Sequence, residues 1–504
     1  MRRGLVWWPL WFGLVTGGCA VGPDYQPRQA PDVADYTSPA AVSDKAKAYG
    51  PVLKDGADIP AHWWALYHSR ALVRVIHMGL KDSPTLAAAR STLRAAQEDY
   101  AAQSGTILYP QADAKLTSTR QKLSGVAFGQ GGDFIYTLHD ASVTVSYNLT
   151  PFGAGQRYLE SLRAGVDYQG YQLEAAHLAL TANIVTAAIT EAALRGQLQA
   201  AGDIVASERT QLGIVERQAE LGVATQADVL TQRTALAQAQ ATLPPLQKRL
   251  AQTRHHLAVL TGHFPNSDEV PSFQLQDFHM PEQLPLSLPS QLVRQRPDIR
   301  AAEAELHQAS ALVGLATANL YPSFTIDTGF GRQAVKFADL LTGPASTIWN
   351  LGGSMLQPLF HGGELSAKRR QALATFEAAR ARYRETLLLA FQNVADVLLA
   401  LRRDAEALAL QDKAEGYAAG TLKLVQRQFS LGAASYLSLL AVQRQFHQSH
   451  IAVVRAKAAL LADTAALFQA MGGGWWQRQD AYHPVASPAT ETHRKSSDAV
   501  MEGA

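Results

Sequence analysis

Two stretches of this chain, 210 residues apart, spell nearly the same message: VERQAELGVATQADVL at 215–230 returns as VQRQFSLGAASYLSLL at 425–440. LYP at 108–110 returns at 320–322, PFGAG at 151–155 finds LFHGG at 359–363, and Gly262 finds Gly472. Similarity held at one spacing along the body of a chain means that a unit of about 210 residues was duplicated, so both halves must build the same elements in the same order.

Punctuation by Pro and Gly gives that order. A helix at about 84–106 leads through Tyr109 and Pro110 into strands at about 111–121 and 135–150. A very long helix from about 153 to 221, a turn at Leu221-Gly222 and a return helix to about 261 follow. The second half repeats this with a helix at about 297–318, strands at about 322–332 and 345–358, a helix at about 362–430, a turn at Leu431-Gly432 and a helix at about 435–470. Leu387, Phe391, Val394, Leu398, Leu401, Ala405 and Leu408 alternate steps of four and three, the seam of a coiled coil. Val229, Leu236, Leu243, Leu250 and Leu257 step by seven, as do Leu439, Phe446, Val453, Leu460 and Leu467. A helix of about 70 residues spans on the order of 100 Å, so the reading is one stave of something elongated. Pro244-Pro245 interrupts the first return helix, where a kink or restart is predicted, and the polar run Gln411-Asp412-Lys413 interrupts the seam of the other half at a comparable height.

The strands alternate. Val143, Val145, Tyr147 and Leu149 share one face, with Thr144, Ser146 and Asn148 on the other. Phe324, Ile326 and Phe330 oppose Thr325 and Asp327, and Trp349, Leu351 and Met355 continue the theme. A half-buried sheet in a soluble domain would show the same alternation, but no partner layer is present to cover it. Four strands of about ten residues, apolar on one face and small-polar on the other, suit a transmembrane β-barrel. Four cannot close a barrel, and an open edge is forbidden in lipid, so more than one copy must contribute.

Charged residues are 17 % of the 504, below the roughly 25 % of an average soluble protein, and the net charge is +2 with both signs interspersed. No basic run suggests a nucleic-acid partner. Arg2, Arg3 and the apolar run Leu5 to Val15 form a targeting segment too short to span a bilayer, and no other segment approaches a transmembrane helix. Cys19, the single cysteine, follows Gly17 and Gly18. It is either a spare thiol in a discarded signal or, because TGGC resembles the bacterial lipobox, a lipid attachment point. Thr16 departs from the Leu usual there, and Ala20 rather than Asp follows the cysteine, which in such lipoproteins favours outer-membrane sorting.

CAVGPDYQP at 19–27, RPDIRAAEAELHQASA at 296–311 and NLYPSF at 319–324, together with the duplication, resemble the TolC superfamily of outer-membrane efflux proteins, in particular its NodT/OprM-like lipoprotein branch. The resemblance covers about 19 to 472. It implies an α+β membrane protein: a homotrimer whose protomers each give four transmembrane strands to a shared 12-stranded β-barrel and long helices to a coiled-coil barrel in the periplasm. It further implies a passive exit duct for drugs or other small toxic compounds that docks a periplasmic adaptor (membrane fusion) protein and an inner-membrane RND pump, without a cofactor. Hairpin tips that meet the adaptor map to Leu221, Gly222, Val223, Leu431, Gly432, Ala433 and Ala434. Thr225, Asp228, Phe429 and Ser438 map to the periplasmic aperture. Carboxylates ringed by symmetry at a constriction favour cations, whereas an Asp at a helix start also answers the helix dipole. Phe429, Ala434 and Ser438 stand where aromatic-hydroxyl, basic and acidic partners lock related apertures, so closure here rests more on packing.

These readings divide the chain into a signal peptide (1–18), a lipidated extended segment (19–70), a first repeat (71–262), a connector (263–290), a second repeat (291–472) and a tail (473–504). An enzyme is the first rival, but the sequence carries no metal-spaced His/Cys cluster, nucleophile elbow or phosphate loop. His255-His256 point about 100° apart on a helix and chelate poorly. A soluble periplasmic coiled-coil adaptor or scaffold is the second rival, opposed by the strands and the duplication.

Overall fold

Four helices in this chain stop where a glycine lets the backbone turn back on itself. The structure is a computed structural model that describes residues 20–29, 33, 35, 36, 51–124, 126, 129, 131–342 and 346–484. In chain order they form β1 (Val52–Asp55), α1 (Arg70–Asp82), α2 (Pro84–Leu108), β2 (Gln111–Ser124), β3 (Asp133–Leu149), α3 (Ala154–Glu220), α4 (Gln226–Ala241) and α5 (Leu243–Leu260). There follow β4 (Gln283–Leu286), α6 (Pro289–Gln295), α7 (Pro297–Ala318), β5 (Ser323–Ala334), β6 (Ser346–Leu356), α8 (Glu364–Ser430) and α9 (Tyr436–Ala470). Both α3 and α8 have 67 residues, displaced by the 210-residue offset at either end and each on the order of 100 Å long.

Four helix ends repeat one capping motif. At the first hairpin Gly222, with φ +72°, donates its N–H to Ala219 O at 3.0 Å while Val223 N donates to Gln218 O at 2.8 Å. At the second, Gly432, with φ +76°, donates to Phe429 O at 3.0 Å while Ala433 N donates to Gln428 O at 2.8 Å. Gly262 with His263, and Gly472 with Gly473, repeat the same pair of bonds at the ends of α5 and α9. Each motif satisfies carbonyls that the ended helix leaves open, and the left-handed residue it needs is glycine in all four.

The chain divides into two compact units. One gathers the described residues of Gln29–Thr92, Gly170–Ala301 and Arg384–Ala504. Its core joins Trp63, Trp64, Tyr67, Leu72 and Ile76 to Ile184 and Ile189 of α3, Leu461 and Phe468 of α9, and the connector's Phe273 and Phe278. Trp63 stacks on Phe468 with centroids 5.1 Å apart, and the Tyr67 hydroxyl donates to Leu461 O at 2.9 Å. Val394, Leu398, Leu401 and Ala405 of the heptad seam enter this core. The restart expected at the two prolines is observed, and two other features differ from the sequence reading for physical reasons. The first return helix restarts at Leu243, so Pro244 and Pro245 fall in the first turn, where an N–H has no helical acceptor to lose. The proline-rich connector contains β4, paired in parallel with β1 from Val52↔Gln283 to Asp55↔Leu286, and strands of four residues are too short to show periodicity. Finally, α3 contains a window long and apolar enough to cross a membrane, where none was expected beyond the N-terminal segment; 56 % of that window is buried, as befits a core helix.

The other unit gathers the described residues of Met1–Arg28, Leu93–Gln169 and Ala302–Tyr383. It holds a four-stranded antiparallel sheet in the order β2-β3-β5-β6. Registers Val143↔Phe330 and Phe330↔Trp349, with Leu149↔Phe324 and Phe324↔Met355, line the apolar residues into rows across the sheet. Phe330 is 64 %, Trp349 75 %, Leu351 72 % and Met355 63 % exposed. The opposite face carries small polar groups: Thr325 Oγ1 bonds Asn148 Oδ1 at 2.8 Å and Asn350 Nδ2 donates to Asp327 at 3.1 Å. No described element covers the apolar face, and the outer edges of β2 and β6 pair with no described strand.

Candidate functional site

Three places carry the functional expectations: the sheet, the hairpin tips and the segment after Cys19. At the first tip the loop residues Leu221 and Val223 are more than 70 % exposed, lifted clear by the turn at Gly222. Thr225 caps α4 in a reciprocal box with Asp228, its Oγ1 accepting from Asp228 N at 3.2 Å while the Asp228 carboxylate accepts from Thr225 N at 2.8 Å and from Thr225 Oγ1 at 2.7 Å. These bonds, the side-chain one first, hold the exposed Asp228 carboxyl below its ordinary pKa. The charge at this tip therefore also closes a helix cap.

The second tip is built differently. Ser435 caps α9 by accepting from Ser438 N at 3.1 Å, and no carboxylate reciprocates. Phe429 packs its ring against Tyr436 at 5.2 Å, and Leu431 is exposed. Gly432 makes the turn into Ala433 and Ala434, two residues with no polar side chain. Duplication thus preserved the backbone of the tip while its polar chemistry diverged.

Cys19 lies outside the described residues, but its neighbours are held firmly. Val21 N donates to Phe152 O at 3.1 Å, and a side chain on Gly153 would strike Ala20. Gly22, at φ +107°, lies against Gly314 of α7 so closely that a Cβ would overlap the Gly314 Cα. Asp24 pairs with Arg157 at 2.6 Å, Arg157 also bonds Glu160 at 2.8 Å, and Glu160 reaches His307 at 2.9 Å. Tyr25 stacks on the His307 ring, centroids 4.3 Å apart. Burial raises the Glu160 pKa, but its bonds to His307 and Arg157 outweigh that and hold it below the usual value. The motif GPDY reads in the sequence as a resemblance; its work, clamping the chain beside the end of β3 and the start of α3, needs residues more than a hundred positions away.

Other polar groups escaped sequence reasoning altogether. Glu191 of α3 is fully buried and accepts from Arg195 at 2.7 Å and from Arg254 of α5 at 3.0 Å. Glu208 of α3 accepts from Gln232 of α4 at 2.7 Å and from Arg444 of α9 at 2.9 Å, tying the two hairpins together. Asp463 of α9 faces Asp404 of α8; burial first, then that neighbouring carboxylate, raises its pKa to about 7. The signal for this last pair was present: 404 and 463 stand equally far from the turn at 433–434. Among the described residues no group of three or more His, Cys, Asp or Glu is gathered as a metal site.

A duplicated chain of paired long helices, joined to an open-edged sheet that is apolar on one face and polar on the other, defines a channel-wall protein. The profile of the outer membrane efflux protein family matches residues 75–263 and 288–473, one match per repeat, and the chain belongs to that family. It is 30 % identical to the pyoverdine export outer membrane protein OpmQ of Pseudomonas putida over 82 % of this chain and 88 % of that one. It is 27 % identical to the nodulation protein T of Rhizobium leguminosarum bv. viciae over 97 % of each. The solved outer-membrane channel OprN superposes with a TM-score of 0.79 at 26 % identity, covering 91 % of this chain and 100 % of that one. The family is one of efflux channels, not enzymes.

Proposed function

We propose that this protein is the outer-membrane exit duct of a tripartite efflux system: a homotrimer that receives drugs or other small toxic compounds from an inner-membrane RND pump through a periplasmic adaptor. The observation that carries this reading is the sheet. It exposes an apolar face and two unpaired edges, which hydrocarbon does not tolerate unless the sheet closes. Because β2 and β6 run in opposite directions, β6 of one copy pairs antiparallel with β2 of the next, and three copies give the twelve strands that the resemblance implies. The polar face then lines the bore and the apolar face meets lipid.

A second feature supports association through the helices. Leu388, Leu399, Leu410, Tyr417 and Leu424 of α8, with Leu431 just past its end, lie 49–77 % exposed. They step by eleven, eleven, seven, seven and seven, so at about 100° per residue the row drifts only ~20° over its length. Period eleven suits a right-handed crossing and period seven a left-handed one, so the neighbour's helix changes its wrap at Leu410. No large apolar residue of α3 is comparably exposed.

Exposed Leu221, Gly222, Val223, Leu431, Gly432, Ala433 and Ala434 form the adaptor-contacting tips, and Thr225, Asp228, Phe429 and Ser438 form the closed aperture. Acylation of Cys19 anchors the chain to the outer membrane, and the clamp at Asp24 and Tyr25 keeps that anchor at the base of the sheet. One relative is named for pyoverdine export, and export of a small compound is consistent with the duct proposed here. Electron microscopy of detergent-extracted protein tests the reading. Threefold tubes support it; compact particles overturn it. Palmitate labelling of wild type that persists in Cys19→Ala removes the anchor.

A further inference from the structure

The outward face of the sheet is not apolar along its whole length. From the helix-side end, successive rows hold Phe324 and Met355, then Tyr147 and Ile326, then Ala112, Val145 and Leu351, then Ala114, Val143, Phe330 and Trp349. The belt ends in one row on three neighbouring strands, where Leu116 faces Ala141 and Ala141 faces Arg332. From Leu149 to Ala141 it spans about 27 Å along the strand at ~3.4 Å per residue, close to the roughly 25 Å apolar band of outer-membrane barrels.

Beyond that row the same face turns basic. Arg332 is followed by His139 opposite Ser118, by Arg120 opposite Thr137 and by Lys122 opposite Ile135. Carboxylates of the strands are sorted the other way: Asp113, Asp140 and Asp327 alternate onto the inward, polar face. One outward carboxylate, Asp133, sits at the far tip of the β2–β3 hairpin and pairs with Lys122 at 2.5 Å. Arg332 also reaches the Leu341 carbonyl at 3.5 Å, which keeps its guanidinium at the rim.

We propose that Arg120, Lys122 and Arg332 form a rim that binds the phosphorylated headgroups of the outer leaflet's lipids. This rests on the membrane reading above. Cations on the lipid-facing side run from the last row of the apolar belt, at Arg332, to two and three rows past it, at Arg120 and Lys122, across the layer of the headgroups, where long basic side chains keep their charge in the polar layer and their stems on hydrocarbon. Arginine suits the partner, because its planar fork grips phosphate oxygens two at a time. Lys115 is the one strand cation on the inward face, beside Asp113 and Asp140; a zwitterionic surface offers no reason to place the other three on the outward face beyond the belt.

The test compares the full-length channel with the triple variant Arg120→Gln, Lys122→Gln, Arg332→Gln, each incorporated into nanodiscs of zwitterionic phospholipid doped with bisphosphorylated lipid A or its dephosphorylated form. Native mass spectrometry of the released channels counts retained lipid A. Wild type is expected to retain the phosphorylated form only. Each lost charge should weaken retention about fivefold, so the triple variant retains little, while Arg120→Lys with Arg332→Lys retains most. Equal retention of both lipid forms, or wild-type retention by the triple variant, overturns the proposal. Displacement by millimolar inorganic phosphate overturns the lipid as its source. Failure of wild type to enter any nanodisc would instead overturn the membrane reading itself.

Discussion

Gly222 and Gly262 do the same conformational work in different surroundings, and the difference is measurable. Both have positive φ, which costs an L side chain about 1–2 kcal/mol. Nothing lies within 4 Å of a Cβ on Gly222, whereas one on Gly262 would overlap the Asp82 carbonyl. Thermal melts should therefore show Gly222→Ala lowered by little and Gly262→Ala by much more. Asp463 gives a pH signature. Its folded pKa of about 7 lies above its ordinary 3.8, so the folded chain holds a proton that the unfolded chain has released between those values. The contribution of Asp463 to stability should be greatest below about pH 4, fall as pH rises to about 7, and level off above. Asp463→Asn should flatten that slope and raise the melting temperature at neutral pH; a slope that survives the change would assign it elsewhere. Of these residues the glycines were legible in the sequence, because punctuation is local. The acidic pair went unread although its symmetry about the turn marked it, because its partners are 59 positions apart and meet only once the hairpin closes.

Legibility was greatest among the long elements. Periodicity of 3.5 or 2 over ten or more residues leaves little choice of structure, and α8, α9 and the strands β3, β5 and β6 lie where that periodicity put them. It failed for β1 and β4, whose pairing is set by tertiary packing, and it did not foresee that the Asp24 segment would be clamped by Arg157. The two hairpins also share a change at one height. The first return helix breaks at Thr242, twenty residues past Gly222, and the exposed row on α8 changes period at Leu410, twenty-two residues before Gly432. Leu410 is 56 % exposed and packs little within its own chain. Leu410→Glu should thus leave the helical circular dichroism intact while reducing association measured by light scattering. Loss of helix in the variant would show instead that this leucine belongs to the protomer's own core.

At the scale of the whole molecule, what a single copy lacks is closure. One copy presents four paired strands with two open edges, an apolar face without a covering layer and a leucine row on α8 without a partner. Each is a cost in isolation, and a second and third copy relieve all of them together. The mass of the detergent-extracted particle, measured by native mass spectrometry with bound detergent stripped, tests this most directly. Three chains per particle is the predicted result. A single chain, monodisperse in buffer without detergent, would contradict the account.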